Sequence, residues 1–256
     1  MVTGAHQCVT GAGTMTEITK IKDYMRSLER SRAALSRTDR PRTFPMAGRE
    51  WDLLDGVFAP PFSASTGAAM ELLGLTGPTA KPWSGSFLEI GCGTGIVAVS
   101  AALAGSDRVT AADISEAAVR NTAMNAARHG VADRLRTVHS DLFDELGAGQ
   151  AAGERFDTIF WHSNFVLAPP GYRYTTVHER AYVDPGYRAH RRFLAEAPAH
   201  VADGGAVLLH FSDRGDIPAL HAIAEECGRE LRVLRSRRVR EGEETVEHIL
   251  FEITVR

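Results

Sequence analysis

Cysteine is scarce. Cys8, Cys92 and Cys227 are the three in 256 residues, too few for a disulfide framework and at spacings that match no zinc site, so no metal centre is expected. No apolar run approaches the roughly 20 residues that a bilayer-spanning helix needs. The first fifteen residues hold no charged segment followed by an apolar one, so no secretory leader is expected. A net charge of −3 gives no overall field for a polyanion or a membrane surface, and nothing marks nucleic acid as a partner. Internal repeats and low-complexity tracts are absent as well. What remains is a chain of ordinary composition, 44% hydrophobic and 24% charged, long enough for one α/β domain with an appendage. Its expected compartment is the reducing cytoplasm.

Residues 1–15 are small and polar and read as a disordered tail. Residues 16–80 read as an N-terminal helical extension or lid. From Thr16 to about Arg37 the apolar positions Ile18, Ile21, Met25, Leu28 and Leu35 recur at three- and four-residue steps, the stripe of an amphipathic helix. Eight basic and four acidic residues over 16–42 leave a local charge of about +4. That helix suits docking on the domain, pairing in a homodimer or covering a site. A loop at 56–66 and a short helix at about 67–75 follow.

From residue 81 to 256 the pattern becomes regular. Apolar runs at 86–90, 108–112, 134–139, 156–161 and 205–211 alternate with helical stretches at about 94–104, 115–129, 186–201 and 216–228. Such alternation implies crossovers and a mostly parallel, Rossmann-like sheet. The last two strands, 231–239 and 246–255, are joined by six residues, too few for a crossover helix. They must form an antiparallel hairpin at the sheet's edge.

The informative segment follows the first of these strands: Glu89-Ile90-Gly91-Cys92-Gly93-Thr94-Gly95. Glycines allow positive φ and let a ligand approach without meeting a Cβ. The next helix begins near Thr94, so its free amides point at that ligand. A dinucleotide fingerprint wants its third glycine where Ile96 stands, and has no use for Glu89. Asp113 ends the next strand, with Ile114 beside it, 22 residues after Gly91. There a carboxylate can accept from both hydroxyls of a ribose. Asp141 ends the strand after that, placed to take an adenine amino proton, with Leu142 and Phe143 to cover the ring. Each acid has an alternative: Asp113 as a helix cap, Asp141 as a turn residue.

Glu89 to Gly95 resembles the first motif of class I S-adenosylmethionine-dependent methyltransferases, and Asp113 and Asp141 fall where that family's ribose and adenine acids lie. The resemblance spans about 85 to 255 and implies a seven-stranded fold with the closing hairpin. It implies S-adenosylmethionine as cofactor, with Glu89 and the loop backbone facing its methionine part. Cys92 is then a packing residue, not a nucleophile. The loop 56–66, including Phe62 and Thr66, resembles the segment that covers the cofactor in the subgroup of release-factor glutamine methyltransferases.

Trp161-His162-Ser163-Asn164-Phe165 resembles that subgroup's fourth motif, which usually ends Asn-Pro-Pro-Tyr or Asn-Pro-Pro-Phe. Here only the aromatic is kept. His162, Asn164 and Phe165 are the candidate catalytic residues, with His162 either a base or a strand-end histidine bonded to backbone. Trp161, Tyr172, Tyr174, His178 and Glu179 are candidate substrate contacts, the last four on a long connection of the kind that often carries function. The lost Asn-Pro-Pro and the absent basic charge lead to the expectation of a small-molecule acceptor. That acceptor would be a nitrogen or electron-rich carbon of an aromatic or amine-bearing metabolite, as in secondary biosynthesis. The alternative is a protein or RNA N-methyltransferase.

Overall fold

The computed structural model describes residues 15–76, 84–146 and 154–255. The expected disordered tail, apart from Met15, which opens the first helix, lies outside these, as do the boundary near residue 80 and Cys8. In chain order the helices are α1 (Met15–Ser36), α2 (Ser65–Leu72), α3 (Ile96–Leu103), α4 (Glu116–Arg128), α5 (Arg188–His200) and α6 (Ile217–Glu226). The strands are β1 (Thr43–Met46), β2 (Arg49–Asp52), β3 (Ser86–Ile90), β4 (Arg108–Asp113), β5 (Leu135–His139), β6 (Phe156–His162), β7 (Leu167–Ala168), β8 (Asp184–Pro185), β9 (Val201–Ser212), β10 (Arg229–Glu241) and β11 (Glu244–Val255).

Seven strands form one sheet in the order β10-β11-β9-β6-β3-β4-β5. The pairs from β9 to β5 are parallel, whereas β11 runs antiparallel to both β9 and β10. This is the α/β, Rossmann-like, mostly parallel sheet with a closing hairpin that the pattern predicts. Side chains alternate between its faces. Phe87 packs with Trp51, Met70, Val97 and Val99 on one side; Leu88 and Ile90 pack with Phe193, Leu209 and Phe211 on the other. After β5 the chain returns to lay β6 on the far side of β3. The carboxyl ends of β3, β4 and β6 therefore flank the switch point where such sheets bind ligands.

The β1–β2 hairpin falls inside the extension that the sequence reads as helical, in a stretch where no strand is expected. Its register is fixed from α4. Asn121 accepts from the Leu54 amide at 2.8 Å and donates to the Asp52 carbonyl at 2.9 Å. Asn125 accepts from the Asp52 amide at 2.8 Å and donates to the Thr94 carbonyl at 2.8 Å. Two asparagines one helical turn apart thus supply the backbone pairing that a lone two-stranded ribbon cannot give itself.

Helix α1 forms as expected, but its buried face differs from the stripe. Ser27, Leu28, Ser31 and Ala34 are buried, while Met25 and Leu35 are 51% and 43% exposed. Small residues let the helix lie close. Leu28 packs against Val166, Ala168 and Val183, and the Ser31 hydroxyl pairs with His178 Nδ1 at 2.8 Å. The helix docks on its own chain.

Candidate functional site

A cavity of about 380 Å³ opens at the carboxyl ends of β3, β4 and β6. Its floor is the glycine loop. Gly91, Gly93 and Gly95 all have positive φ, and they do three different things. A Cβ on Gly91 would lie 3.4 Å from the Trp161 indole nitrogen. One on Gly95 would lie within 3.0 Å of three Thr122 atoms, so α3 and α4 approach through this residue. One on Gly93 would meet nothing within 4 Å. Gly93 leaves space on the ligand side of the loop.

Two acids border that space. Glu89 is 2% exposed and accepts from the Ala98 amide at 2.8 Å. Burial pushes its carboxyl well above the usual range. Asp113 Oδ2 accepts from the Gly93 amide at 2.9 Å and Oδ1 from the Ser115 amide at 2.8 Å. Burial raises its carboxyl as well. The cap of α4 is Ser115, whose hydroxyl takes the Ala118 amide, so the cap alternative for Asp113 falls. Two bonds leave a carboxylate roughly half its acceptor capacity.

Asp141 also faces the cavity, but it is not solitary. Oδ2 takes Arg180 at 3.2 Å and Oδ1 takes Arg192 at 3.3 Å. Leu142, at φ +55°, lines the cavity beside Ile114. Phe143 does not. Its ring stacks on His200 at 4.7 Å and Phe193 at 5.7 Å in the core behind, because the left-handed turn at Leu142 points the next side chain away.

On the acceptor side lie Trp161, His162, Asn164 and Phe165. Trp161 is only 6% exposed, packed on His190 and Phe193. Tyr187 fixes the motif backbone by donating to the Phe165 carbonyl at 2.7 Å. Asn164 Nδ2 donates to the Arg180 and Val183 carbonyls, both at 2.7 Å. Two carbonyls decide the amide's orientation, since a flip would set oxygen against oxygen. Asn164 Oδ1 is left buried without a partner. The His162 ring is pushed down to about 3 by burial, reinforced by His248.

The long connection divides. Tyr174 and His178 reach the cavity. Tyr172 and Glu179, expected beside them, instead frame the loop: Glu179 takes the Tyr172 hydroxyl at 2.7 Å and the Thr175 amide and hydroxyl at 2.8 and 2.6 Å. A carboxylate with three local donors is a turn organiser. Phe62, with the Arg37 guanidinium 4.1 Å above its ring, joins Thr66, Cys92 and Thr94 on the wall, while Gly95 stands behind it. Cys92 is buried, takes the Thr122 hydroxyl at 3.2 Å, and its thiol is raised by burial. Arg30, Ala34, Arg37, Tyr182, Arg214 and Glu241 also line the cavity. They come from α1 and the residue past its end, the long connection, the turn after β9 and the end of β10, and no local spacing links such distant segments. No group of three or more metal-ligating side chains occurs among the described residues, nor is any helix there long and apolar enough to cross a membrane.

The family model of ribosomal protein L11 methyltransferase (PrmA) matches residues 69–161, the stretch from α2 through the glycine loop to β6. Over that stretch the chain is similar to a methyltransferase domain. Release factor glutamine methyltransferase of Chlorobaculum tepidum is 32% identical over 149 residues, 54% of this chain and 49% of that one. Ribosomal protein L11 methyltransferase of Desulforamulus reducens is 39% identical over 61 residues, 24% of this chain and 20% of that one. The chain thus spans half or less of these curated relatives. Among solved structures, a ribosomal protein L11 methylase from Lactobacillus delbrueckii subsp. bulgaricus has a TM-score of 0.50 at 20% identity, covering 75% of this chain and 78% of that one. Pyrococcus horikoshii TYW2, in complex with MeSAdo, has a TM-score of 0.54 at 17% identity, over 84% and 71%.

These relatives correct one expectation. They are named for protein acceptors, a release factor and a ribosomal protein, which overturns the small-metabolite acceptor and small-molecule partner read from the divergent fourth motif. The physical reason is plain. A methyltransferase domain meets a protein substrate through one side chain at a time, so a small enclosed acceptor pocket and a near-neutral charge suit it equally well.

Proposed function

We propose that the domain transfers a methyl group to a side-chain nitrogen of a protein substrate. The observation that carries this reading is Asn164 Oδ1. It is a buried acceptor, oriented by two backbone carbonyls and lacking any partner of its own. Leaving such an atom unpaired costs roughly 1–3 kcal/mol, and an amide or amine N–H brought to the cavity would recover it. The protein acceptors of the relatives support the same class.

For the cofactor the donor set fits. Gly93 leaves the approach open, Asp113 offers acceptor capacity to a ribose, Asp141 to an adenine amino group, and Glu89 a carboxylate to an ammonium. When bound, S-adenosylmethionine supplies an electrophilic methyl group on a sulfonium. The chain's own work is to align the acceptor and exclude water. Phe165, Trp161 and Tyr182 wall the acceptor side, and Arg30 and Ala34 of α1, with Arg37 just past its end, close over it. Alignment of this kind is worth roughly 7–11 kcal/mol.

The test is labelling of bacterial extract with radioactive cofactor. Expected is a labelled band that protease removes and ribonuclease leaves. Label found only in RNA or in the small-molecule fraction overturns the reading.

A further inference from the structure

Behind the acceptor wall, imidazoles stand in a row. His210 of β9 and His248 of β11 are fully buried and stack with centroids 5.2 Å apart and planes 11° from parallel. His210 Nε2 lies 3.2 Å from His248 Nδ1, and His248 Nε2 lies 3.1 Å from Glu241 Oε1. Arg214 holds the other Glu241 oxygen at 2.6 Å. At the opposite end, His162 meets His210 edge-on with centroids 4.6 Å apart. Both ends of the row, His162 and Glu241, line the cavity.

The proton positions follow from chemistry. A carboxylate only accepts, so His248 Nε2 carries the proton and donates to Glu241. A neutral imidazole has one such proton, so His248 Nδ1 accepts and His210 Nε2 donates. His210 Nδ1 must then be bare, and it is a buried nitrogen without a partner. A protonated Nδ1 would be an orphaned donor in the interior, with nothing to offset it.

We propose that Glu241, through His248, holds His210 with an unprotonated Nδ1 beside His162, and that His162 accepts the proton shed by the methylated nitrogen. The nitrogen–hydrogen bond breaks with its electron pair left on nitrogen. The proton goes to the lone pair of His162, and from there to solvent through the cavity that His162 lines. Arg214 and Arg30 face Glu241, with Glu244 3.6 Å from Arg214. With the His248 hydrogen bond, their positive charge keeps Glu241 a carboxylate, the acceptor that fixes both tautomers. His162 is the catalytic residue of this row; His210, His248 and Glu241 are positioning residues.

The inference rests on the nitrogen-transfer reading only at its donor end, and the first measurement is independent of that reading. Imidazole ¹⁵N spectra of the full chain should place the proton of both His210 and His248 on Nε2. Glu241→Gln keeps the shape but offers a donor as well as an acceptor, and it should abolish that preference at both rings. A proton on Nδ1 of His210, or a pattern unmoved by Glu241→Gln, overturns the proposal. With a labelled protein acceptor, Glu241→Gln should lower kcat about tenfold or more and leave each KM within about twofold, Glu241→Asp restoring part of the rate. An unchanged kcat in both Glu241→Gln and His248→Gln also overturns it. Should the acceptor prove not to be protein, the function reading falls while the spectra still decide the row.

Discussion

Asp113 Oδ2 reaches across the β3–β4 pair to the Gly93 amide at 2.9 Å, so the second strand holds the bend that ends the first. The acid thus has two tasks, a loop to hold and a ligand to receive. Asp113→Ala should weaken S-adenosylhomocysteine binding by about 1–3 kcal/mol, roughly fivefold to 150-fold in the dissociation constant measured by calorimetry. An unchanged constant removes Asp113 from the site.

The glycines separate packing from access. Gly95→Ala drives a Cβ into Thr122 and strains a φ of +80°, so it should cost about 2–4 kcal/mol of stability and lower the melting temperature clearly. Gly93→Ala strains a φ of +55° but meets no protein atom near its Cβ, so it should cost less stability than Gly95→Ala and depress cofactor affinity more than that loss suggests. Equal thermal losses in the two variants contradict this division.

Cofactor binding should release a proton. Burial raises the Glu89 carboxyl, and an ammonium brought beside it favours the charged form. Affinity should then rise with pH until Glu89 is ionised in the free protein. Glu89→Gln should bind more weakly and with a flat profile. A wild-type constant independent of pH between 5.5 and 8 refutes the coupling.

Acid should weaken the fold before most carboxylates titrate. His162 is held down to about 3 and His178 to about 4, both chiefly by burial, while the unfolded chain takes up those protons near 6.5. Above 6.5 neither state is protonated and the stability is whole; as pH falls, the unfolded state binds more protons and gains. Glu89 and Asp113, both raised by burial, oppose this, since the folded state keeps protons that the unfolded chain gives up, while His210, pushed well down by burial, adds to it. The melting temperature should still be lower at pH 5.5 than at 7.5, and His178→Gln should narrow the gap. A higher value at pH 5.5 sinks it.

How much was legible in the residues depended on distance along the chain. The glycine loop, Asp113 and the sheet are local events of strand, turn and helix, and periodicity reads them. The antiparallel end of the sheet followed from a connection too short to cross over. The β1–β2 hairpin was not legible, because Asn121 and Asn125, some seventy residues on, hold it. Phe143 and Glu179 have the residue types of a site, yet a left-handed turn and a set of local donors put them elsewhere. The His210–His248–Glu241 row joins three positions on three strands whose spacing has no period.

The place of β11 has a consequence for biosynthesis. It is the last of the seven strands to be made, and it lies between β9 and β10 rather than outside them. While a ribosome is still adding residues 244–253, β9 keeps a bare edge and β10 has no neighbour to pair with. The nascent sheet is therefore sticky on one side until translation passes that point. Stalled or truncated products should be the ones that chaperones retain and proteases clear.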